Sequence, residues 1–234
     1  MIKKSAAILA GGKSSRMNYR NKAFLKYEED YFIERIIKAL EDYEEIIIIS
    51  NNPEEYKEFG LKVFKDIYSG QGPLSGIHSA LNHIKNDYCL VVACDMPFIN
   101  KDVVNYLGNI KEDYEILIPK FQERLQPLCA IYKKSCKDIM EKELINNSNK
   151  LIETCFKFSM KVVEEFPFIE KVHKKEIKNF YNINTVDEYE ELIKKKKSRK
   201  PFIIKNTKEE VNCLKLFILK CIVLDGDGFK INNL

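Results

Sequence analysis

The sequence has no tryptophan and only three histidines, His78, His83 and His173. His78 and His83 fall on different faces of any helix, and no His-x-x-x-His spacing occurs. The histidines therefore read as surface or packing residues. No Gly-x-Ser-x-Gly elbow is present, so no serine nucleophile of that kind is supported. Neither the Walker A loop nor the Gly-x-Gly-x-x-Gly dinucleotide fingerprint is found. The seven cysteines, at 89, 94, 129, 136, 155, 213 and 221, are odd in number and form no Cys-x-x-Cys pair. That argues against a zinc site or a disulfide framework and for reduced thiols in a cytoplasmic protein. The N-terminus runs straight into an apolar strand pattern with no secretory leader. No apolar run reaches the roughly 18 residues of a membrane span. Ile203 to Leu224 is broken by Lys205, Lys208, Glu209, Glu210, Lys215 and Lys220.

What is present is a chain of 234 residues, 45% apolar and 32% charged, with a net charge of +4. That supports one or two domains with an ample core. The small positive charge fits an anionic ligand and does not by itself argue for nucleic acid. Around Ile8 to Lys22 an apolar run turns through Gly11-Gly12, passes Ser14 and Ser15, and delivers Arg16 and Lys22. Glycines let backbone N–H groups approach an anion, and the two cations add charge, which is one way to hold phosphates. The same residues also suit a strand followed by a plain basic loop.

Strand and helix patterns alternate from there. Strands are expected at Ile2–Ala10, Glu45–Ser50, Leu61–Phe64 and Tyr88–Ala93. Helices are expected at Tyr31–Leu40, from Asn52 as cap with Pro53 at the first position, and at Leu74–Ile84. This predicts an α/β fold, a mostly parallel sheet flanked by helices on both faces, with ligands at the carboxyl ends of the strands. Further on, a helix is expected at Asp102–Leu107 and a strand at Glu115–Pro119. A second strand is expected over Arg124–Tyr132, with Pro127 limiting it to an edge or irregular start. Ser135 is expected to cap a helix to Leu144. A short helix at Leu151–Phe156 and a strand at Met160–Val163 follow. Thr185-Val186-Asp187-Glu188 reads as a capping box opening a final helix to Ile193. Six basic residues between Lys194 and Lys200 read as a solvated helix end and linker. An RNA-binding tail is disfavoured because no aromatics interleave them. The expected division is a main domain over 1–195 and a small C-terminal appendage over 196–234, in which Asp225-Gly226-Asp227-Gly228 is a turn signal.

Three features fall at strand ends: Gly11-Gly12, Asp66 and Asp95. Asp95 suits a magnesium ligand beside a phosphate loop, since Mg²⁺ is commonly held by one or two carboxylates plus substrate phosphates; a cap on the following turn is the plainer alternative, and the glycine loop favours the metal. Asp66 is placed for ribose hydroxyls or a base edge. Gln71-Gly72-Pro73-Leu74-Ser75-Gly76 is a tight turn into a helix whose first N–H groups favour an anion or a base carbonyl, or simply a loop and helix start.

Taken together, Leu9-Ala10-Gly11-Gly12-x-Ser14-x-Arg16-Met17, Lys22, Gly72-Pro73-Leu74-Ser75-Gly76, Cys94-Asp95-Met96-Pro97 and Asn182-x-Asn184-Thr185 resemble the molybdenum cofactor guanylyltransferases, nucleotidyltransferases with a Rossmann-like domain. The resemblance covers about residues 1 to 195. The Leu-Ala-Gly-Gly and Asp-x-Pro elements are shared with many sugar-nucleotide transferases; the combination is more specific. It implies that Leu9, Ala10, Gly11 and Gly12 hold GTP, with Arg16 and Lys22 on its phosphates. It further implies that Asn51 and Asp66, with Gly72 and Pro73, serve the nucleotide, that Asp95 binds Mg²⁺, and that Asn182 and Asn184 lie on the pterin side. The implied reaction joins GMP from GTP to the phosphate of molybdopterin and releases pyrophosphate. GTP, the molybdopterin cofactor and molybdoenzymes or other cofactor-assembly proteins are the implied partners, with no membrane and no nucleic acid. The family usually has Gly and Asp where this chain has Asn18 and Asn21, which leaves the positioning of Lys22 open. Cytidylyl transfer, transfer to a sugar phosphate, or a non-catalytic nucleotide-binding module are the alternatives. The Gly-Gly pair and Gly72-Pro73-Leu74 favour guanine.

Overall fold

β1, Ile2–Leu9, is the strand on which both faces of the molecule are built. It is buried along Ser5–Leu9, with Ala6 and Ile8 on one face and Ala7 and Leu9 on the other. The computed structural model describes residues 1–11, 21–111, 113–166 and 180–198. Residues Met1–Glu191 form one compact unit. The expected appendage over 196–234, including its turn signal, lies outside the described residues apart from the end of the last helix.

β1 pairs in parallel with β4 (Tyr43–Ile49) on one side and with β6 (Tyr88–Ala93) on the other. β5 (Lys62–Phe64) extends the sheet in parallel beyond β4. Beyond β6 lies β9 (Cys129–Lys133), antiparallel to both β6 and β7 (Ile116–Phe121), and β10 (Met160–Val163) closes the row parallel to β7. The order is therefore β10-β7-β9-β6-β1-β4-β5, with β8 (Arg124–Leu125) paired to β7 off this path. The Rossmann-like α/β expectation holds, as a mixed sheet in which β9 alone among these seven strands runs against its neighbours.

Helices cover both faces. α1 (Phe32–Ala39) and α3 (Lys101–Asn109) place Ile33, Ile36, Val103, Val104 and Leu107 over Ala6, Ile8, Ile48 and Val92. On the opposite face α2 (Pro73–His83), α4 (Lys137–Ile145) and α5 (Leu151–Cys155) place Leu74, Ile77, Leu81, Met140 and Leu144 over Ala7, Leu9, Ile47 and Val91. Each fully buried aliphatic side chain in these layers contributes roughly 1.5–3 kcal/mol. The last helix among the described residues, α6 (Val186–Ser198), opens on the expected capping box: Glu188 N–H donates to Thr185 Oγ1, and the Glu188 carboxylate accepts from the Thr185 and Asn184 amides. No helix among the described residues is long and apolar enough to cross a membrane.

Several local expectations are corrected. Pro127 does not place its segment at an edge. It follows the end of β8, and residues 126–128 turn the chain, with Cys129 N–H on Gln126 O, so that β9 starts afterwards in the interior of the sheet. A residue without an N–H cannot sit in a central ladder, so the chain splits around it. Asn52 makes no side-chain cap; Pro53–Phe59 winds as a 3₁₀ helix and the Asn52 amide donates to Glu55 instead. Ser135 lies within a 3₁₀ turn, Lys134–Cys136, and α4 begins two residues later without a side-chain cap. A small hairpin of β2 (Lys26–Tyr27) and β3 (Asp30–Tyr31) had no signal in the sequence pattern.

Candidate functional site

The carboxyl ends of four adjacent strands, β6, β1, β4 and β5, line one edge of the sheet. The chain leaves β1 for β4 on one side and reaches β6 on the other, so the crevice opens where the winding direction changes, the usual ligand position in such sheets. A cleft of about 790 Å³ lies there, lined by Leu9, Ala10, Gly11, Lys22, Asn51, Asp66, Gly72, Pro73 and Asp95 among others.

On the β4–β5 side, Asn51 follows β4 and Asp66 follows β5. They are held to each other twice: Asn51 Nδ2 donates to Asp66 Oδ2 at 3.0 Å, and Asp66 N–H donates to Asn51 Oδ1 at 3.3 Å. A Cβ on Gly11 would stand 3.4 Å from Asp66 Oδ2, and one on Gly76 would press at 3.3 Å on both methyls of Leu9. The glycine at 76 therefore permits the close approach of α2 to the end of β1, while a side chain at 11 would only come into contact with Asp66. The other Asp66 oxygen, Oδ1, is buried without a hydrogen-bond partner, and burial raises the carboxyl's pKa above its ordinary range. An acceptor oxygen left over in a cleft is a place for a ligand donor. The following loop is strapped to α2: Ile67 N–H donates to Ser79 Oγ and Ser75 Oγ–H donates to Tyr68 O. Gly70 and Gly72 there take φ values of 81° and 72°, the left-handed region that glycine enters without cost.

On the β6 side, Cys94 N–H donates to Leu9 O at 3.0 Å and fixes Asp95 beside the end of β1. Lys22 Nζ donates to Asp95 Oδ2 at 3.1 Å and to Asn184 Oδ1 at 2.9 Å. The Asp95 carbonyl accepts from Ile183 N–H. Three residues singled out by sequence, Lys22, Asp95 and Asn184, are thus brought together from widely separated segments. Asp95 Oδ1 is buried with no partner. Among the described residues no three His, Cys, Asp or Glu side chains cluster to hold a metal by themselves. One carboxylate with a spare oxygen fits a hard divalent cation whose remaining ligands are phosphates and water. Burial first, then the charge of Asp95, pushes the Cys94 thiol up to about 12, so it lines the cleft as a neutral group.

Gly12 and Arg16, with Ser14, Ser15 and Asn18, lie outside the described residues. Asn182 does not join the Lys22 group; its Oδ1 is buried and unpartnered. His78 and His83 are packing residues: His78 is buried on α2, and His83 stacks on Phe64 at 4.0 Å. His173 is outside the described residues. Sequence reasoning missed Glu55 and Tyr56. Both touch Asn21, and nothing in their local pattern marks them.

The family model described as "MobA-like NTP transferase domain" matches residues 6–155. A protein of Clostridium perfringens (strain ATCC 13124) named probable molybdenum cofactor guanylyltransferase is 98% identical over 196 residues, 84% of this chain and 99% of that protein. One of the same name from Carboxydothermus hydrogenoformans is 34% identical over 190 residues, 81% of this chain and 95% of that protein. Among solved structures, molybdopterin-guanine dinucleotide biosynthesis protein A from Archaeoglobus fulgidus superimposes with a TM-score of 0.68 at 25% identity, covering 83% of this chain and 99% of that one.

Proposed function

The chain belongs to the MobA-like NTP transferase family, and we propose that it is the nucleotidyltransferase that moves GMP from GTP onto the terminal phosphate of molybdopterin and releases pyrophosphate. The observation that carries this reading is the meeting of Lys22, Asp95 and Asn184 at the end of β6, with one Asp95 oxygen unspent. The relatives named above supply the choice of nucleotide and acceptor.

In this reading Gly11, with Gly12 and Arg16 beyond it, receives the triphosphate, and the Lys22 ammonium exchanges Asp95 for phosphate oxygen as substrate arrives. Asn51 and Asp66 take the nucleoside, where the unpaired Asp66 Oδ1 is available to N–H donors of a base. Gly72 and Pro73 open α2 beside it. Asn182 and Asn184 face the acceptor. The acceptor's phosphate oxygen attacks the α-phosphorus, and the bond to the β-phosphate oxygen breaks, its electron pair leaving with pyrophosphate. The nucleophile is already an anion, so no general base is needed. Positioning and charge neutralisation by Lys22 and Arg16 carry the chemistry. Asp95 would hold Mg²⁺, which when bound neutralises phosphate charge as a Lewis acid.

The test is incubation of the purified chain with Mg²⁺, molybdopterin and each labelled nucleoside triphosphate in turn. GMP transfer from GTP is expected. Transfer from CTP and not from GTP would overturn the guanine assignment, and no transfer from a folded sample would leave a binding module.

A further inference from the structure

Lys22 must hold its ammonium between two oxygens that the rest of the chain supplies, Asp95 Oδ2 and Asn184 Oδ1. Its own backbone belongs to a single 3₁₀ turn, Lys22–Phe24. A turn this short does not sustain itself, so something outside it fixes where the lysine stem begins. That support is the carboxamide of the preceding residue. Asn21 Oδ1 accepts from Ala23 N–H at 3.1 Å and caps the turn. Asn21 Nδ2 donates to Glu55 Oε2 at 2.6 Å and to the Tyr56 hydroxyl at 2.9 Å. The Tyr56 hydroxyl in turn donates to Ala10 O at 3.2 Å. Tyr56 is wholly buried, with Phe24 of the same turn against its ring at 5.3 Å. Burial pushes its phenol up to about 12, so it remains a neutral donor. The end of β1 and the residue before Lys22 are therefore tied to one phenol.

We propose that Asn21 and Tyr56 are the positioning residues of Lys22, and that Asn21 acts as an acceptor to its own turn and a donor matched to Glu55. This rests on the reading that Lys22 serves phosphate transfer. Both faces of the Asn21 amide are in use, and no other side chain of that length offers an acceptor and two donors. An aspartate there would keep the cap and lose both donors. It would set a second carboxylate against Glu55 and draw the Tyr56 proton away from Ala10 O.

The experiment uses the full chain as wild type, Asn21→Asp, Asn21→Asp with Glu55→Gln, and Tyr56→Phe. The reactivity of Lys22 toward acetic anhydride is read by mass spectrometry against the exposed Lys57. This needs no turnover, so it decides the positioning even if the wild type transfers no GMP, a result that would sink the functional reading alone. Asn21→Asp and Tyr56→Phe are expected to raise relative Lys22 labelling about threefold or more. The double variant is expected to return it close to wild type, because the second substitution, Glu55→Gln, removes the opposing charge and restores a donor to the pair. Where GMP transfer is measured, kcat for Asn21→Asp is expected to fall about tenfold with KM for GTP changed less, and to recover in the double variant. Wild-type labelling in Asn21→Asp, or a folded double variant that recovers neither labelling nor kcat, would overturn the proposal. If Asn21→Asp fails to fold, Tyr56→Phe carries the test through a different atom, and unchanged labelling there overturns it equally.

Discussion

Asp95→Asn separates the charge of this side chain from its shape. The amide keeps an oxygen for the Lys22 ammonium, which Oδ2 now holds at 3.1 Å. It also fills the same volume in a place where the two side chains are only 17% and 15% exposed. What disappears is a unit negative charge in a partly desolvated cleft. A unit pair about 4 Å apart is worth about 4 kcal/mol at an effective dielectric near 20. Lys22 passes from Asp95 to phosphate as substrate arrives, so the pair at stake in the transition state is Asp95 with the Mg²⁺ it would hold; solvation returns part of the attraction, leaving about 2–3 kcal/mol, or about 30- to 150-fold in kcat/KM. Folding loses less. The hydrogen bond to Lys22 passes from a charged to a neutral acceptor, at a cost of about 1 kcal/mol, which for a chain of this size lowers Tm by about 2–4 °C. The measurement is GMP transfer across a Mg²⁺ titration, with thermal melting of the same samples. The expected pattern is a large kinetic loss, a Mg²⁺ half-saturation moved upward and a small change in Tm. A variant with wild-type kcat/KM and wild-type Mg²⁺ dependence would refute the reasoning, because the charge of Asp95 would then do no chemical work.

Asp66→Asn is expected to weaken GTP binding, read as a raised KM, while raising Tm at neutral pH. A carboxyl whose pKa is higher folded than unfolded binds more protons in the folded state, so its contribution to stability is most favourable in acid and falls as pH rises from the ordinary value of 3.8 through the raised one; the gain of the variant is therefore expected to shrink on acidification, and a gain independent of pH would count against burial as the cause. Gly108→Ala is expected to destabilise by about 1–3 kcal/mol on overpacking. Its Cβ would stand 2.7 Å from the Tyr43 hydroxyl and 2.8 Å from Ile2 Cδ1, and Tyr43 is itself pinned to Val104 O. An unchanged denaturant midpoint would show that α3 can shift away.

The alternation of strands and helices was legible because burial on both faces leaves continuous apolar runs, such as Ile46–Ile49 and Leu90–Ala93, that no exposed segment needs. The strand ends were legible for the same reason. Once those runs are placed, Gly11, Asn51, Asp66 and Asp95 fall just beyond them, and a parallel arrangement puts every such end on one edge. The missing N–H of Pro127 says only that a ladder stops there, not on which side the strand resumes; of the two expected outcomes, an edge or an irregular start, the structure shows the second, with β9 beginning after the 126–128 turn. β2 and β3 were missed because strands of two residues are too short to show any period. A cap at Asn52 or Ser135 follows from residue type alone; the backbone takes a 3₁₀ turn in both places, and neither element gains a side-chain cap.

The positioning of Lys22 was the part sequence could not reach, because its determinants are distant in the chain. Asn184 lies 162 positions from Lys22 and Asp95 lies 73. Ser5, by comparison, meets Glu45 across neighbouring strands whose register the apolar pattern already implies. Lys22 has no such register, since it sits on an irregular turn whose direction depends on what Asn21 bonds. Read alone, an amide before the lysine looks like a loss of the charge that the resemblance leads one to expect there. With Glu55 Oε2 at 2.6 Å, that charge would face another carboxylate, so the amide is the side chain this chain's own surroundings require. An amide where a carboxylate was expected thus answers to a neighbour 34 positions away, and the same amide reaches the Tyr56 hydroxyl that ties the lysine's turn to the end of β1.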